Sequence, residues 1–378
     1  MLMKVENASG QALLKRGNRM AIVRRLRMEP GLSRVDLANA LDLTKSTVSA
    51  LTRELIAEGW LLEREVLVTG DIGRRPTPLF VDPGRLLLLG TQVGIGHVRV
   101  VLTSLTGEVL AAKSAAYDTT LDVEACILAL TRTMLAVAGR CGDAQQIIGI
   151  GVGLPGGVDQ ARDQLVFAPH VHWHQVPFGA LLREALQGTP LAGAPVFMQN
   201  DADVAALGET EFNPSPQADP LLLVLVGEGV GAGIVVGGRL LTGARGLAGE
   251  VGHMVLQIDG PRCSCGRRGC AEALIASRAL LRQDAPPPPA DVAQAGRYLG
   301  VLLQNLAAAY DPACIVLGGP AMVLGDALLA PVQATLAEYA QAAGLPEPAL
   351  RVARFGADAI AVGAAALAGY RLTQPTLA

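Results

Sequence analysis

Three cysteines and one histidine are spaced as ligands of a single metal ion. His253 is followed by Cys263, Cys265 and Cys270 in the pattern H-x9-C-x-C-G-x-x-G-C. Three thiolates and one imidazole complete the closed tetrahedral shell of structural zinc, and the two glycines allow the tight turn that brings the sulfurs together. The sequence therefore predicts a structural Zn²⁺ site at these four residues. The alternative is a patch of buried thiols beside an unrelated histidine.

A second group of histidines alternates along the chain in the run His170-Val-His172-Trp-His174. Alternate residues of a strand share one face, so this run would suit a second metal site if it were extended. Prolines on both sides and the tryptophan within it are more typical of a loop. We therefore expect a loop without a metal ion.

Polar side chains also gather at the ends of predicted strands, where α/β proteins bind small ligands. Carboxylates and an amide that accept and donate hydrogen bonds in pairs match the neighbouring hydroxyls of a sugar. A metal ion bound to His253 would fix that ring and the nearby Glu272 in position. We therefore predict a sugar-binding site formed by Asn200, Asp201, Glu250, His253 and Glu272.

The elements that must position these residues follow an α/β pattern after residue 83. Two glycine-rich segments, at 90–96 and 227–233, each adjoin predicted strands, as in a duplicated fold of two lobes. The apolar runs have the length of strands and fall short of the roughly 20 residues that cross a bilayer. No export signal is recognisable, so the cytoplasm is the expected location and no membrane is expected as a partner. The predicted strands are Leu86–Val93, Val98–Leu102, Ile147–Val152, Val196–Gln199, Leu221–Leu225, Gly233–Val236 and Ile315–Leu317, and the predicted helices include Val123–Ala138 and Asp291–Ala309.

The first eighty residues have a different pattern, that of three short helices, a strand and a loop. Ala12–Leu26 shows helical periodicity, Ser33 opens a capping box, and Thr44 can cap a third helix. A strand over 63–68 and a glycine-bearing loop to residue 78 complete the order of a winged helix-turn-helix. This segment carries 13 basic and 9 acidic residues, whereas the rest of the chain is acidic and the net charge is −3. Only the N-terminal segment is therefore expected to meet the phosphates of double-stranded DNA.

In a winged helix-turn-helix the start of the third helix enters the major groove, and the wing reaches the adjacent minor groove. Short hydroxyl side chains allow close approach, and cations bind phosphate and guanine. The alternative is a three-helix packing module with a solvated face, which would not explain this clustering. The predicted DNA-binding residues are Ser33, Arg34, Thr44, Lys45, Ser46, Thr47, Ser49, Arg53, Arg74 and Arg75.

From about residue 85 to its end, the chain resembles the ROK family (repressors, open reading frames and sugar kinases), and its N-terminal segment resembles the helix-turn-helix of that family's repressor branch. The zinc signature, continued as Cys263-x-Cys-Gly-x-x-Gly-Cys-x-Glu272, is the most specific match. The other matching segments are Gly149-Ile-Gly-Val-Gly-Leu-Pro-Gly156, Gln199-Asn-Asp201, Gly227-x-Gly-Val-Gly-Ala-Gly233, Gly246-Leu-Ala-Gly-Glu-Val-Gly-His253, Asp311-Pro312 and Ile315-Val-Leu-Gly-Gly319.

The resemblance implies an actin-like, two-lobed ATPase fold that binds a sugar in its cleft. Asp201 matches the base that deprotonates the attacked hydroxyl in the family's kinases, and the other predicted sugar ligands match positions that hold the sugar. We expect a DNA-binding domain at 1–80, a small lobe at 81–199 that also packs the helix at 360–378, and a large lobe at 200–359 with the zinc site and an oligomerisation surface.

The two phosphate-binding loops depart from the kinase pattern. The first loop of the family's kinases resembles D-x-G-G-T-K, but this chain has Gln92 in place of the acidic residue and His97 in place of the lysine. In the second loop Glu228 stands between two glycines, where its charge would repel a triphosphate. ATP binding and phosphoryl transfer, which depend on an electrostatic cradle, are therefore not expected.

The combined pattern predicts a repressor of carbohydrate uptake or catabolism genes, without enzyme activity, that a small sugar releases from its operator. Glucose, xylose, N-acetylglucosamine or a phosphorylated sugar would suit the polar set, and the lack of an extra cation cluster favours a neutral sugar. The two-fold symmetry of operators predicts a homodimer or tetramer. Two alternatives stay open, namely a DNA-binding sugar kinase that uses ATP and a repressor controlled by a partner protein.

Overall fold

The computed structural model describes residues 2–64, 77–120, 122–213, 218–276, 280 and 286–374. Its helices are α1 (Leu2–Met28), α2 (Arg34–Ala40), α3 (Lys45–Glu58), α4 (Val123–Ala138), α5 (Phe178–Ala185), α6 (Asp201–Glu211), α7 (Ala271–Ile275), α8 (Pro289–Tyr310), α9 (Asp326–Ala343) and α10 (Ala359–Thr373). Its strands are β1 (Leu61–Glu63), β2 (Leu79–Val81), β3 (Leu86–Val93), β4 (His97–Ser104), β5 (Val109–Ala116), β6 (Gln146–Leu154), β7 (Gly157–Asp159), β8 (Gln164–Ala168), β9 (Trp173–Val176), β10 (Val196–Asn200), β11 (Leu221–Val226), β12 (Val230–Val236), β13 (Arg239–Leu240), β14 (Cys314–Gly318) and β15 (Leu350–Val352).

The N-terminal head has the predicted order of three helices and a strand. The Ser33 hydroxyl accepts a hydrogen bond from the Asp36 amide and the Asp36 carboxylate accepts one from the Ser33 amide, which confirms the capping box of α2. Thr44 caps the start of α3, and Gly59 caps its end with a φ of 85°, which favours glycine. β1 pairs antiparallel with β2. Residues 65–76, which include most of the predicted wing strand and loop, lie outside the described residues.

The first large sheet has the strand order β10-β6-β3-β4-β5, with β10, β6 and β3 parallel. Helix α4 packs on one face of this sheet, and α10 covers the other. The helix α10 approaches so closely that a Cβ at Gly90 would lie 2.0 Å from the Ala361 carbonyl oxygen, and one at Gly151 would lie 1.7 Å from that of Ala364. These two glycines are therefore required for packing of the C-terminal helix against the sheet.

The second large sheet has the strand order β13-β12-β11-β14-β15. Helices α8 and α9 pack together beside one apolar core, while α6 contacts β11 and β12. A Cβ at Gly233 would lie 2.3 Å from the Ala202 carbonyl oxygen, and one at Gly363 would lie 2.0 Å from that of Val204. Because α6 also packs along α10, these two helices lie between the two sheets, as expected of two related lobes.

A third sheet, β7-β8-β9, joins the first lobe and leads into the candidate site. It contains a turn of 3₁₀ helix, Pro169–Val171, between β8 and β9. The strands and helices predicted after residue 83 are all present, with ends shifted by no more than three residues. In the head, α1 begins ten residues before the predicted start at Ala12. Across the described ranges, no helix combines the length and apolarity that a membrane span needs.

Candidate functional site

The side chains of His253, Cys263, Cys265 and Cys270 converge on one point, and their ligand atoms all lie within 4.8 Å of one another. The Sγ atoms of Cys265 and Cys270 are 3.8 Å apart, and Cys263 Sγ is 3.6 Å from His253 Nδ1. A tetrahedral zinc ion with usual bond lengths would separate two sulfurs by about 3.8 Å and a sulfur from a nitrogen by about 3.5 Å. The donor set and its spacing therefore fit such an ion.

Two isolated antiparallel β-bridges close the cysteine loop. One joins Val255 to Cys270, and the other joins Arg262 to Arg268. Gly269 adopts a φ of 70°, and a Cβ there would lie 1.5 Å from the Gln257 carbonyl oxygen. Only glycine fits at that position, which explains how the loop can bring its sulfurs together.

The two ring nitrogens of His253 face different groups. Nδ1 faces Cys263, while Nε2 lies 3.7 Å from Glu250 Oε2. A ring that gives one nitrogen to a metal ion carries its proton on the other nitrogen, which then donates a hydrogen bond. His253 therefore connects the cysteine cluster to the predicted sugar ligands.

Glu272 is held at the start of α7, directly after the cysteine loop. Its Oε1 accepts a hydrogen bond from the Ser264 hydroxyl at 2.8 Å, and its Oε2 accepts one from the Val230 amide at 3.3 Å. Burial raises the pKa of Glu272, but its interactions with His170 and Ser264 outweigh burial and lower the pKa to about 2. Glu272 is therefore a fixed, charged acceptor.

Asn200 and Asp201 lie where β10 ends and α6 begins. The side-chain Oδ1 of Asn200 accepts a hydrogen bond from the Ala202 backbone amide at 2.9 Å, and the side-chain Nδ2 donates one to the Gly156 carbonyl oxygen at 3.0 Å. Asn200 thus caps α6 and ties it to the first lobe. Asp201 accepts a hydrogen bond from the Ala202 amide at 2.7 Å, and burial raises its pKa to about 6.

The predicted carboxylates act on one another. Burial raises the pKa of Glu250 to about 7, and the negative charges of Asp201 and Glu272 contribute in the same direction. A negatively charged ligand would add to this repulsion. The hydroxyls of a neutral polyol can instead donate hydrogen bonds to the carboxylates without adding charge.

His170 is a member of this site that sequence reasoning missed. Its Nε2 lies 3.6 Å from Glu272 Oε1, and its Nδ1 is buried with no hydrogen-bond partner among the described residues. The three alternating histidines do not converge, because His172 and His174 are exposed and His174 contacts the Phe167 ring. The expectation of a loop at this run is only partly met, since β9 begins at Trp173.

The two glycine-rich loops contain the departures from the kinase pattern. At the first, the ring of His97 lies over Gly94, so closely that a Cβ on Gly94 would be 2.2 Å from it. The Tyr117 hydroxyl donates a hydrogen bond to the Gly94 carbonyl at 2.7 Å. Burial raises the pKa of Tyr117, and the charge of Glu228 from the second loop contributes in the same direction. Gln92 stands partly exposed at the end of β3.

The predicted DNA-binding residues of the head divide into two groups. Ser33 is buried and its hydroxyl also bonds to Asp36, so we correct its assignment from a DNA contact to a helix cap. Arg34 donates a hydrogen bond to Thr52 and forms an ion pair with Glu63, so its guanidinium is held within the head.

The residues at the start of α3 are available to solvent. Thr44 shares its hydroxyl with Ser46 and Thr47 in a hydrogen-bonded group that shapes this helix start. Arg74 and Arg75 of the predicted wing lie outside the described residues. Among the other candidates, the exposed residues are Lys45, Ser46 and Arg53, and the partly exposed residues are Thr47 and Ser49.

One helix connects the candidate site to the head. Asp201 is the first residue of α6, and Glu211 is the last. Glu211 forms an ion pair with Arg27 of α1, in which both side chains are largely buried. Arg27 also reaches the Thr373 hydroxyl of α10 at 3.5 Å.

A winged helix-turn-helix joined to a two-lobed, sugar-kinase-like body with a cluster of polar side chains defines a class of transcription regulator, and the similarities to known proteins agree with it. Residues 88–371 match the ROK family, and residues 16–61 match a winged helix-turn-helix DNA-binding domain. The chain belongs to the ROK family.

Among its relatives, a xylose repressor from Caldicellulosiruptor bescii is 32% identical over 71% of this chain and 66% of its own length. The crystal structure of a ROK family transcriptional regulator, a homologue of the Escherichia coli Mlc protein, superposes with a TM-score of 0.76 at 25% identity over 96% of this chain and 97% of its own. A ROK glucokinase from Streptomyces griseus, solved with glucose and AMPPNP, gives a TM-score of 0.65 at 26% identity over 75% of this chain and 99% of its own.

Proposed function

We propose that this protein is a repressor of carbohydrate uptake or catabolism genes, whose winged head binds operator DNA and whose cleft binds a neutral monosaccharide. The head's match to a DNA-binding domain and the repressor names of its relatives support this role. The sugar ligands would be Asn200, Asp201, Glu250, His253 and Glu272, and xylose is the first candidate because relatives carry the name xylose repressor.

The observation that carries the proposal is the placement of α6. Its first residue, Asp201, belongs to the candidate sugar site, and its last residue, Glu211, holds Arg27 of the head. An α-helix of 11 residues is about 16 Å long and transmits a displacement of one end to the other. A sugar that draws the two lobes together would therefore move α6 and change the position of the head on DNA, provided that the sugar binds the two conformations with different affinities.

The proposal includes one structural zinc ion per chain, bound by His253, Cys263, Cys265 and Cys270. When bound, this ion supplies no reaction chemistry, because four protein ligands complete its shell. What these residues do for the site is to hold the His253 ring and the adjacent Glu272 in fixed positions. The sulfur and nitrogen spacing given above supports the assignment.

The proposal excludes phosphoryl transfer as the main role. The His97 ring lies against its own loop, and Glu228 stands between the glycines of the second loop, where its negative charge would repel a triphosphate. We expect that ATP, with or without sugar, leaves the melting midpoint unchanged and that no ADP forms. Sugar-dependent ADP release that is abolished by Asp201→Asn would instead establish a DNA-binding kinase.

Operator affinity with and without sugar tests the proposed function directly. The full chain would be titrated against labelled operator DNA in the presence of xylose, glucose, N-acetylglucosamine or their phosphates. We expect one neutral sugar to weaken operator binding about tenfold or more, which corresponds to a coupling free energy of about 1.4 kcal/mol. Equal operator affinity with every sugar would overturn the mechanism, and release by a sugar phosphate alone would overturn the choice of a neutral ligand. If the protein is a homodimer, tight binding in this titration is expected to require an operator with two half-sites.

A further inference from the structure

His170 lies at the meeting point of the two lobes. It belongs to the turn Pro169–Val171 of the first lobe, in which Val171 is buried in that lobe's core. Its imidazole reaches Glu272, which begins α7 of the second lobe, with Nε2 3.6 Å from Oε1. A Cβ added to Gly229, in the second glycine-rich loop, would lie 3.2 Å from the same nitrogen. His170 therefore fills the space between the two lobes next to a predicted sugar ligand.

The imidazole lacks short hydrogen bonds to protein on both sides. The separation of 3.6 Å from Glu272 exceeds the usual 2.7–3.2 Å of an N–H···O hydrogen bond. Nδ1 is buried and has no hydrogen-bond partner among the described residues. Buried polar groups are nearly always paired, so an unpaired ring beside a predicted sugar ligand indicates a position that a ligand or its water completes.

His170 also interacts with two of the predicted sugar ligands on other elements. Burial raises the pKa of both Asp201 and Glu250, and an electrostatic interaction with His170 partly offsets this effect at each carboxyl. Because such interactions weaken with distance, the ring lies in the neighbourhood of both carboxyls as well as of Glu272.

We propose that His170 is a specificity-determining residue of the sugar site, which forms a hydrogen bond to one ring hydroxyl of a monosaccharide. The first lobe thereby contributes an imidazole to a site whose carboxylates come from α6 and the second lobe. A sugar bound between His170 and Glu272 joins the two lobes through its own hydroxyls. This inference rests on the proposed function and adds to it the residue that selects among sugars.

The test compares His170→Ala with His172→Asn in the full-length protein. His172 is an exposed residue of the same turn with a φ of 56°, a conformation that asparagine tolerates, so its replacement is a matched control. Calorimetric affinities would be measured for xylose, glucose and N-acetylglucosamine, and then for the 2-, 3- and 4-deoxy forms of the sugar that binds. Melting midpoints of the sugar-free variants would be compared to check that each one folds.

In the wild type, we expect one deoxy sugar to bind roughly tenfold more weakly than its parent, the loss that accompanies one hydrogen bond. In His170→Ala the affinity for the parent sugar is expected to fall by a similar factor. The affinity difference between the parent and that one deoxy sugar should disappear, while the differences for the other deoxy sugars persist. His170→Asn, which keeps a donor and an acceptor, is expected to restore part of the affinity. The control variant should match the wild type within twofold.

Two outcomes separate this inference from the proposed function. If the wild type binds a sugar and the deoxy penalties are unchanged in His170→Ala, His170 does not select the ligand and the inference fails alone. If the wild type binds none of these sugars, the proposed function fails and this inference fails with it.

Discussion

Arg27, near the end of α1, forms a largely buried ion pair with Glu211, the last residue of the helix that begins at Asp201. A charge that loses its partner in such surroundings costs roughly 1–3 kcal/mol, so the two elements tend to move together. The head is therefore attached to the body by this ion pair as well as by the chain that connects them.

Replacement of Arg27 by methionine is expected to uncouple the head from the sugar site. The variant should bind sugar with wild-type affinity, but the sugar should change operator affinity by less than threefold, against the tenfold or more expected of the wild type. Parallel sugar titrations and operator titrations would measure both quantities.

Arg25→Met provides the matched control, because Arg25 lies on the same helix and pairs with Glu29 at a more exposed position. It is expected to keep the full effect of sugar on DNA binding. If Arg27→Met retained that full effect as well, the coupling through α6 would be wrong.

The cysteine cluster gives a prediction that elemental analysis can check. We expect one zinc ion per chain in the purified protein, and substoichiometric zinc in Cys265→Ser. If that change destabilises the native state by about 2 kcal/mol, the melting midpoint would fall by roughly 4–8 °C, and sugar affinity would fall with it because His253 and Glu272 lose their support.

Cys141→Ser serves as the control, since Cys141 is a half-buried thiol that is not part of the cluster. It should keep its zinc and its melting midpoint. A Cys265→Ser protein that retained a full equivalent of zinc would show that the ion binds at a different site.

The start of α3 is expected to supply the phosphate contacts of the head. Lys45→Ala and Arg53→Ala should weaken binding to operator and to random DNA by similar factors. Each should also reduce the slope of log affinity against log salt by about 0.9 for every phosphate that the variant no longer neutralises.

Arg132→Ala removes the same charge from an exposed position on α4 of the body, and so controls for net charge. It is expected to leave both the affinity and the salt slope unchanged. Wild-type slopes for Lys45→Ala and Arg53→Ala would place the DNA contacts elsewhere.

The features that the sequence could predict are those that depend on residues close together in the chain. The helix caps and buried stripes of the head need only four to seven neighbouring residues, and Thr44 and Ser33 proved to be caps as expected. The cysteine cluster likewise lies within a short loop, so its spacing alone predicted that the ligand atoms converge.

What the sequence could not show depends on distant partners. Nothing near His170 indicates that it meets Glu272, about a hundred residues later, across the two lobes. Gly90 and Gly151 are explained by α10, which passes over them from the other end of the chain. The strand β5 was missed because its side chains are mostly exposed and small, so it lacks the alternation that marks a half-buried strand.

Asp201 is expected to favour sugar binding at the expense of stability. Burial raises its pKa from 3.8 to about 6, so the charged carboxylate is less favourable in the folded protein than in the unfolded chain. The unfavourable contribution is absent below pH 4, grows as the pH rises from 4 to 6, and is complete above pH 6. Asp201 interacts electrostatically with His170, Glu250 and Asp203.

The variant Asp201→Asn should therefore melt at a higher temperature than the wild type at pH 7.5 and at the same temperature near pH 4. The full shift in pKa corresponds to about 3 kcal/mol, and we expect about 1 kcal/mol because the residue keeps partial contact with solvent. The same variant should bind sugar at least tenfold more weakly, because an amide accepts a hydroxyl proton less well than a carboxylate. Scanning calorimetry at the two pH values, with and without sugar, measures both effects. If the variant melted at a lower temperature than the wild type at pH 7.5, the Asp201 carboxylate would stabilise the folded protein and its buried charge would not be destabilising.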